Sequence, residues 1–242
     1  ELSMIKKATT TIGQIIKKSK KNPIIFIKST VVPGTAQNVI LPILEKTSGK
    51  KANRGFGLIS NPEFLQESNA IRDTKYPHAI ILGGKQTKYM KKAKMFFSKM
   101  HPNVPIVITN FQTAEMIKYA NNSFLATKIS FINQLSNICQ NIPGTNIDDI
   151  AKIIGLDSRI GKLFLNAGPG YGGACLPKDI SALIKFSDKI GVKPILLNAV
   201  KKTNHEQMNN IISLMKKILG DITAKRITIL GTAFKPNTDD VR

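Results

Sequence analysis

The residues best suited to carry chemistry lie in a glycine-rich stretch, residues 168–179. Four glycines within six positions let the backbone turn sharply or approach a ligand closely. Cys175 follows them after a single alanine, and Pro177 suits the start of a helix. A thiol beside a helix N-terminus, with Lys178 nearby, sits where a thiolate and therefore a nucleophile is favoured. Asp179 is placed to act as a partner base or to orient a water molecule.

The same stretch also fits a buried structural cysteine beside a glycine turn, and the local sequence leaves both interpretations open. Cys139, the other cysteine, falls in an apolar helical stripe and is predicted to fill the core. Neither cysteine has metal-ligand spacing to the scattered histidines, so no metal site is predicted. The sparse cysteines favour a reducing, cytoplasmic compartment.

Lys118 and Asn122 form a second candidate pair. They are four residues apart in a helical pattern and therefore share one face of the helix. Ammonium and amide donors aimed into a site could hold a developing oxyanion. An exposed polar face of the helix would give the same spacing, and this alternative also stays open.

Further polar residues follow predicted strands. Ser29 and Thr30 come after the first strand, and Glu63 and Glu67 come after the second. Ligands of open parallel sheets bind beyond the carboxyl ends of the strands, so these side chains are placed for ligand contact; the two glutamates fit helix capping equally well. Residues 231–235 follow the last predicted strand and could accept a phosphate. No Gly-x-Gly-x-x-Gly follows any predicted strand.

The elements that must position these residues alternate in type over the first half of the chain. Helix-period and continuous apolar patterns predict a sheet with helices between its strands. The predicted helices cover residues 2–20, the segment after Pro33-Gly34 and residues 87–100, and the predicted strands cover residues 24–27, 56–60, 79–82 and 104–109. This alternation predicts an α/β fold with a parallel sheet covered on both faces.

The pattern becomes helical after residue 110. A helix is predicted over residues 113–141, because Phe124, Phe131 and Ile138 recur seven apart in a stripe that implies burial against other helices or a second subunit. Further helices are predicted over residues 146–154, 177–190 and 193–219. A strand over residues 225–230 is expected to open a second Rossmann-like unit.

Composition limits the classes of partner. The 242 residues include 36 Lys+Arg against 15 Asp+Glu, a formal charge of +21. Only five of these cations are arginine, tryptophan is absent and aromatic residues make up 6%, so a nucleic-acid partner is not predicted. The lysines are interpreted as solvated helix faces. No apolar run reaches the roughly 18 residues of a membrane span, so no membrane partner is predicted.

Taken together, the motifs resemble those of the UDP-glucose/GDP-mannose dehydrogenase family, in that family's order and spacing. They are residues 29–34, 61–67, 115–122, 159–161, 172–179 and 230–235. The resemblance implies an NAD-dependent, four-electron oxidation of a nucleotide sugar's primary alcohol to a carboxylate, in a biosynthetic route to polysaccharide. It also implies a homodimer formed through the long central helix.

The resemblance implies a role for each matching residue. Cys175 matches the catalytic thiol, Lys118 and Asn122 match groups that stabilise the oxyanion, Asp179 matches a residue that acts with water in proton transfer, and Glu63 matches a carboxylate that assists hydrolysis. The implied substrate contacts are Phe64, Leu65, Arg159, Gly170, Tyr171, Gly172, Gly173 and Lys235. The implied cofactor contacts are Thr30, Glu67, Lys178 and Arg242. Ser68 stands where the family usually has glycine.

The resemblance also predicts the domain organisation. Residues 1–110 are expected to be the C-terminal half of an NAD-binding Rossmann-like domain, residues 111–205 a helical central domain for dimerisation and catalysis, and residues 206–242 the start of a UDP-sugar-binding domain. The sequence is thus expected to be an internal fragment without the glycine-rich phosphate loop. It is expected to bind NAD weakly or not at all and to be inactive by itself.

The substrate favoured by the resemblance is UDP-glucose, oxidised to UDP-glucuronate. The Leu-Pro after Cys175 and the loop over residues 168–173 are more similar to those of UDP-glucose or GDP-mannose enzymes than to those of N-acetylmannosamine enzymes. The alternatives are a GDP-mannose dehydrogenase, a UDP-N-acetylmannosamine dehydrogenase and a non-catalytic basic scaffold.

Overall fold

A computed structural model describes residues 2–241 of the chain. Arg242, predicted to contact the cofactor, lies outside the described residues. The chain separates into an N-terminal unit that ends at Tyr119 and a C-terminal unit that begins at Ala120. The border falls within one long helix.

The N-terminal unit contains the sheet. Its helices are α1 (Ser3–Lys18), a π-helix (Ala36–Ile40) that continues into α2 (Leu41–Ser48), a short 3-10 turn (Glu67–Asn69) followed by α3 (Ala70–Lys75), and α4 (Lys88–Met100). Its strands are β1 (Ile24–Ile27), β2 (Gly57–Ser60), β3 (Ile80–Gly83) and β4 (Ile106–Thr109). The predicted helices and strands of this half are therefore present, with bounds that differ by a few residues, whereas α3 was missed.

The four strands lie in the order β1-β2-β3-β4. β1 pairs with β2 in parallel, and β3 pairs with β4 in parallel. The prediction of a wholly parallel sheet is wrong at the centre, where β2 and β3 are antiparallel and pair Ser60 with Gly83. A parallel partner needs a crossover back to the starting edge, usually a helix. Residues 61–79 instead form loops, the short 3-10 turn and the six-residue α3, and β3 returns in the opposite direction.

Helices cover both faces of this sheet, as predicted. Successive residues of β2 point to opposite faces, so Leu58 packs with Leu44 and Phe56 in one buried cluster, whereas Ile59 packs with Met90 of α4 in another. Burial of both faces explains why the strands are continuous apolar runs.

The C-terminal unit is helical, as predicted. Helix α5 (Phe111–Cys139) enters it and is followed by α6 (Ile147–Ile154), α7 (Leu176–Lys189) and α8 (Ile195–Leu219). The core of the unit contains Ala126, Ile180, Ile184 and Val200. Within residues 2–241, no helix combines the length and the apolar character that a membrane crossing requires.

The predicted strand over residues 225–230 is wrong. This segment has no regular secondary structure, and Leu230 is 92% exposed. A strand needs a neighbour for its backbone hydrogen bonds, and none of the described strands pairs with this segment.

Candidate functional site

Cys175 lies immediately before α7. Its side chain is exposed and makes no capping hydrogen bond, while Pro177 occupies the first turn of the helix. The exposure excludes the alternative of a buried structural cysteine. The thiol therefore faces solvent at a helix N-terminus, where backbone N–H groups favour negative charge. Cys139 is half-buried on α5.

Asp179 lies one helical turn after Cys175 and is only 1% exposed. Its Oδ2 accepts a hydrogen bond of 2.6 Å from Nδ2 of Asn122, which is also buried. Its Oδ1 lies 3.3 Å from Nζ of Lys178 but accepts no hydrogen bond. A buried carboxylate oxygen without a hydrogen-bond donor is equipped to accept a proton or to bind a water molecule.

The amide of Asn122 has a defined orientation, because its Oδ1 accepts a hydrogen bond of 3.2 Å from Nδ2 of Asn121. Its amino group is thereby directed at Asp179. Asn122 and Lys118 are both buried, so the alternative of an exposed polar face on the long helix is wrong.

Lys118 belongs to a cluster in the N-terminal unit. Its Nζ lies 3.7 Å from Oε1 of Glu63 and 5.3 Å from the ring centroid of Phe64. The other carboxylate oxygen of Glu63 accepts the N–H of Leu65. The ammonium thus faces both a carboxylate and an aromatic ring while its stem is buried, a placement that orders the loop after β2.

Sequence reasoning missed two residues that support this loop. Nζ of Lys28 donates a hydrogen bond of 3.0 Å to Oδ1 of Asn61, and the buried amide of Asn61 donates one of 2.8 Å to the carbonyl of Ile81. Much of the Lys28 side chain is exposed, but loss of hydration around its ammonium lowers its pKa, and nearby Glu63 opposes that shift. The sequence feature that could have identified them is that both residues directly follow strands.

A cavity of about 370 Å³ adjoins the loop after β2. Its lining includes Lys28, Glu63, Phe64 and His78, and the rings of the last two have centroids 4.8 Å apart. All of its lining residues belong to the N-terminal unit.

Glu115 on α5 was also missed as a supporting residue. It is 3% exposed, and its two oxygens accept hydrogen bonds from the N–H groups of Gly34 (2.6 Å) and Ala36 (2.7 Å). Burial raises its pKa, and these two hydrogen bonds oppose the rise. Glu115 thereby holds the loop that begins at Thr30 on the long helix. The sequence feature that could have identified Glu115 is its position in the motif over residues 115–122.

The predicted glycine loop lies in the C-terminal unit. Gly170 and Gly173 adopt positive φ angles of 106° and 73°, which side chains rarely adopt. A Cβ on Gly173 would lie 2.7 Å from the ring of Phe234. Burial raises the pKa of Tyr171 to about 12, so its hydroxyl stays neutral.

The remaining described residues predicted to contact the substrate or the cofactor are exposed or half-buried. Arg159 is exposed and forms an ion pair of 2.6 Å with Asp157, two residues before it. Gly172 and Glu67 are exposed, and Lys235 is half-buried. The structure thus forms one cluster around Lys118 and Glu63 and another around Asn122, Asp179 and the adjacent Cys175. Among the described residues, no three His, Cys, Asp or Glu side chains are grouped to hold a metal ion.

The predicted cofactor residues fit a dinucleotide in part. Thr30 is half-buried and follows β1, whose carboxyl end lies beside that of β2 through the pairing of Ile27 with Ser60. Hydroxyl and backbone donors at such an edge suit a ribose or a phosphate. The one Gly-x-Gly-x-x-Gly of the sequence, residues 168–173, follows none of the described strands, so it is not the strand-to-helix loop that holds a pyrophosphate.

Comparison with known families decides the assignment. Residues 1–101 match the NAD binding domain of the UDP-glucose/GDP-mannose dehydrogenase family, and residues 112–206 match its central domain. The chain belongs to this family. Membership in the UDP-glucose/GDP-mannose dehydrogenase family confirms the predicted resemblance, and the matched domain confirms NAD as the predicted cofactor.

Individual members agree with this assignment. The chain is 42% identical to the UDP-glucose 6-dehydrogenase AglM of Haloferax volcanii and 41% identical to TuaD of Bacillus subtilis; all of the chain is aligned in both cases, covering 56% and 50% of those proteins. A solved UDP-glucose dehydrogenase from Pyrobaculum islandicum superposes with a TM-score of 0.90 at 33% identity, over 100% of this chain and 54% of that one. These matches confirm the predicted α/β fold class. The chain spans about half the length of these relatives.

Proposed function

We propose that the whole protein oxidises UDP-glucose to UDP-glucuronate with NAD. Family membership and the names of the relatives support this reaction. The observation that carries it is the buried hydrogen bond between Asn122 and Asp179, one helical turn from the exposed Cys175. An exposed thiol beside a buried, oriented carboxylate is the arrangement that covalent capture and hydrolysis require.

Cys175 is the proposed nucleophile. The first oxidation converts the primary alcohol of the sugar to an aldehyde. The sulfur then bonds to the aldehyde carbon and a proton moves to its oxygen, which forms a thiohemiacetal. Loss of a hydride and a proton from that adduct leaves a thioester, and water releases the carboxylate and restores the thiol. NAD, when bound, supplies the hydride acceptor for both oxidations.

The neighbouring residues are assigned to charge and proton transfer. Lys118 and Asn122 stabilise the oxygen of the adduct, because an ammonium and an amide N–H both donate to an oxyanion. Asp179 takes up a proton through water at its Oδ1, the oxygen that accepts no hydrogen bond. Glu63, whose charge is held near Lys118, assists the hydrolysis of the thioester.

The binding residues are assigned by their positions in the family motifs. The proposed nucleotide-sugar contacts are Phe64, Leu65, Arg159, Gly170, Tyr171, Gly172, Gly173 and Lys235. The proposed NAD contacts are Thr30, Glu67, Lys178 and Arg242. We assign residues 1–110 to the NAD domain, 111–205 to the central domain and 206–242 to the sugar-nucleotide domain.

A homodimer is proposed through the long helix. Phe124, Phe131 and Ile138 recur every seven residues on α5 and are 64%, 51% and 49% exposed. Such a stripe is costly to leave in water, and a second copy of the same helix would cover it.

A cytoplasmic location is proposed because Cys139 and Cys175 are both free thiols.

Substrate and reaction are tested together by stoichiometry. Limiting UDP-glucose, GDP-mannose or UDP-N-acetylmannosamine is supplied to the whole protein with excess NAD, and NADH is counted by absorbance. We expect two NADH per UDP-glucose and little turnover of the other sugars. One NADH per sugar would exclude the four-electron reaction, and no NADH with any sugar would favour the scaffold alternative.

A further inference from the structure

The glycine loop over residues 168–171 is held in place by side chains from two helices. The N–H of Gly168 donates a hydrogen bond of 2.8 Å to Oδ1 of Asn133 on α5. The carbonyl of Gly168 accepts one of 2.9 Å from Nε2 of Gln207 on α8. Asn133 is 1% exposed and Gln207 is 5% exposed. One end of the loop is therefore fixed by two buried amides.

Asn204 fixes the other end. Its Oδ1 accepts a hydrogen bond of 2.7 Å from the N–H of Tyr171, and its Nδ2 donates one of 3.0 Å to the carbonyl of Tyr171. The side-chain amide thus pairs with the backbone as a neighbouring strand would. Gly170 makes this approach possible, because a Cβ there would lie 2.6 Å from Oδ1 of Asn204.

The orientation of the clamping amides is itself determined. Oε1 of Gln207 accepts a hydrogen bond of 3.1 Å from Nδ2 of Asn137, which leaves its amino group to face Gly168. The N–H and carbonyl groups of Gly168 and of Tyr171 all bond to side chains. The path of the loop therefore depends on three amides rather than on a helix or a sheet.

We infer that Asn204, together with Asn133 and Gln207, is a positioning residue for nucleotide-sugar binding. This inference rests on the proposed function, in which residues 170–173 contact the sugar nucleotide. The three amides act through the loop backbone. Loosening the loop lowers the population of the binding-competent conformation and so weakens the sugar nucleotide selectively.

The test compares Asn204→Ala with Asn209→Ala in the whole protein. Asn209 lies on the same helix, and its exposed amide bonds only to Glu206 among the contacts described. We expect Asn204→Ala to raise the KM for UDP-glucose about tenfold, the effect of losing one or two hydrogen bonds, while the KM for NAD changes less than twofold. Asn209→Ala should match the wild type.

Hydrogen exchange of the peptide over residues 168–173 gives a readout that needs no substrate. Asn204→Ala should speed exchange at the Tyr171 amide, and Asn209→Ala should not. An unchanged UDP-glucose KM, or equal rises in both KM values, would overturn the inference, as would unchanged exchange. A wild type without UDP-glucose oxidation would instead refute the proposed function, and the exchange comparison would still decide whether Asn204 holds the loop.

Discussion

Asn122 and Asp179 share a hydrogen bond of 2.6 Å between two buried side chains 57 positions apart in sequence. The bond joins the long helix α5 to helix α7, which begins directly after Cys175. A buried carboxylate is costly unless donors compensate its lost hydration. The pair therefore has a structural role as well as its proposed chemical one, and substitutions can separate the two.

Asp179→Asn should separate structure from chemistry. The new side chain keeps an oxygen that accepts the Asn122 hydrogen bond but can no longer take up a proton. We expect a melting temperature within a few degrees of the wild type and a kcat at least about a hundredfold lower, the usual contribution of a general base. Asp188→Asn, the same change on the same helix, is the control and should retain the kcat of the wild type. A kcat near that of the wild type in Asp179→Asn would contradict the role of Asp179.

Asn122→Ala should act on stability. Removal of the donor leaves the buried Asp179 carboxylate without its hydrogen bond, at a cost of about 1–3 kcal/mol in the free energy of unfolding. Urea denaturation followed by circular dichroism measures the loss. An unchanged free energy of unfolding would show that the 2.6 Å contact contributes nothing to the fold.

Glu115 should make stability depend on pH. Because burial raises its pKa above the ordinary value of 4.5, the folded protein binds more protons than the unfolded protein between 4.5 and the raised pKa. Its contribution to the free energy of unfolding is full below pH 4.5 and is lost as pH rises through the raised pKa. The free energy of unfolding of the wild type, relative to that of Glu115→Gln, should therefore fall as pH rises from 4.5 through the raised pKa.

Glu45 supplies a control of opposite sign. Its pKa is lowered by the N–H of Ala52 and by Lys51, so its contribution is present above the ordinary value of 4.5 and is lost as pH falls. Denaturation midpoints of the wild type, Glu115→Gln and Glu45→Gln, measured from well below pH 4.5 to well above it, give both slopes. Slopes of the same sign for the two variants would contradict the environment described for Glu115.

The dimer is tested on the apolar stripe of α5. The double variant Phe124→Glu, Phe131→Glu places charges on that face, and two copies would then repel each other. Light scattering should report a dimer for the wild type and a monomer for the variant. Phe96→Glu, on α4, changes a phenylalanine of similar exposure (52%) and should remain dimeric. A dimeric double variant would place the interface elsewhere.

Spacing predicted which residues share a helix face but not how deeply they lie. The four-residue interval of Lys118 and Asn122 indicated one face of a helix, and the structure shows that both side chains are buried. Their burial depends on packing from segments distant in the chain, such as Glu63 and Asp179, which no local pattern specifies.

The sequence predicted neither the direction of β3 nor the role of Asn204, and the reasons are related. A continuous apolar pattern is the same for a strand that pairs in parallel and for one that pairs antiparallel. The antiparallel pairing of β2 and β3 therefore depends on the loop between them. Asn204 and Gln207 lie among lysines and asparagines on α8, a composition typical of a solvated face. Only the folded position of Tyr171 and Gly168 reveals what these amides contact.

The central claim is that the Cys175 thiol carries the substrate through the second oxidation. The direct measurement is mass spectrometry of acid-quenched protein during turnover with UDP-glucose and NAD, combined with the rate of NADH formation. We predict a sugar-nucleotide adduct on the peptide that contains Cys175. Cys175→Ser should lose that adduct and form NADH at least about a thousandfold more slowly, whereas Cys139→Ser should keep both. NADH formation by Cys175→Ser at the rate of the wild type would contradict the account.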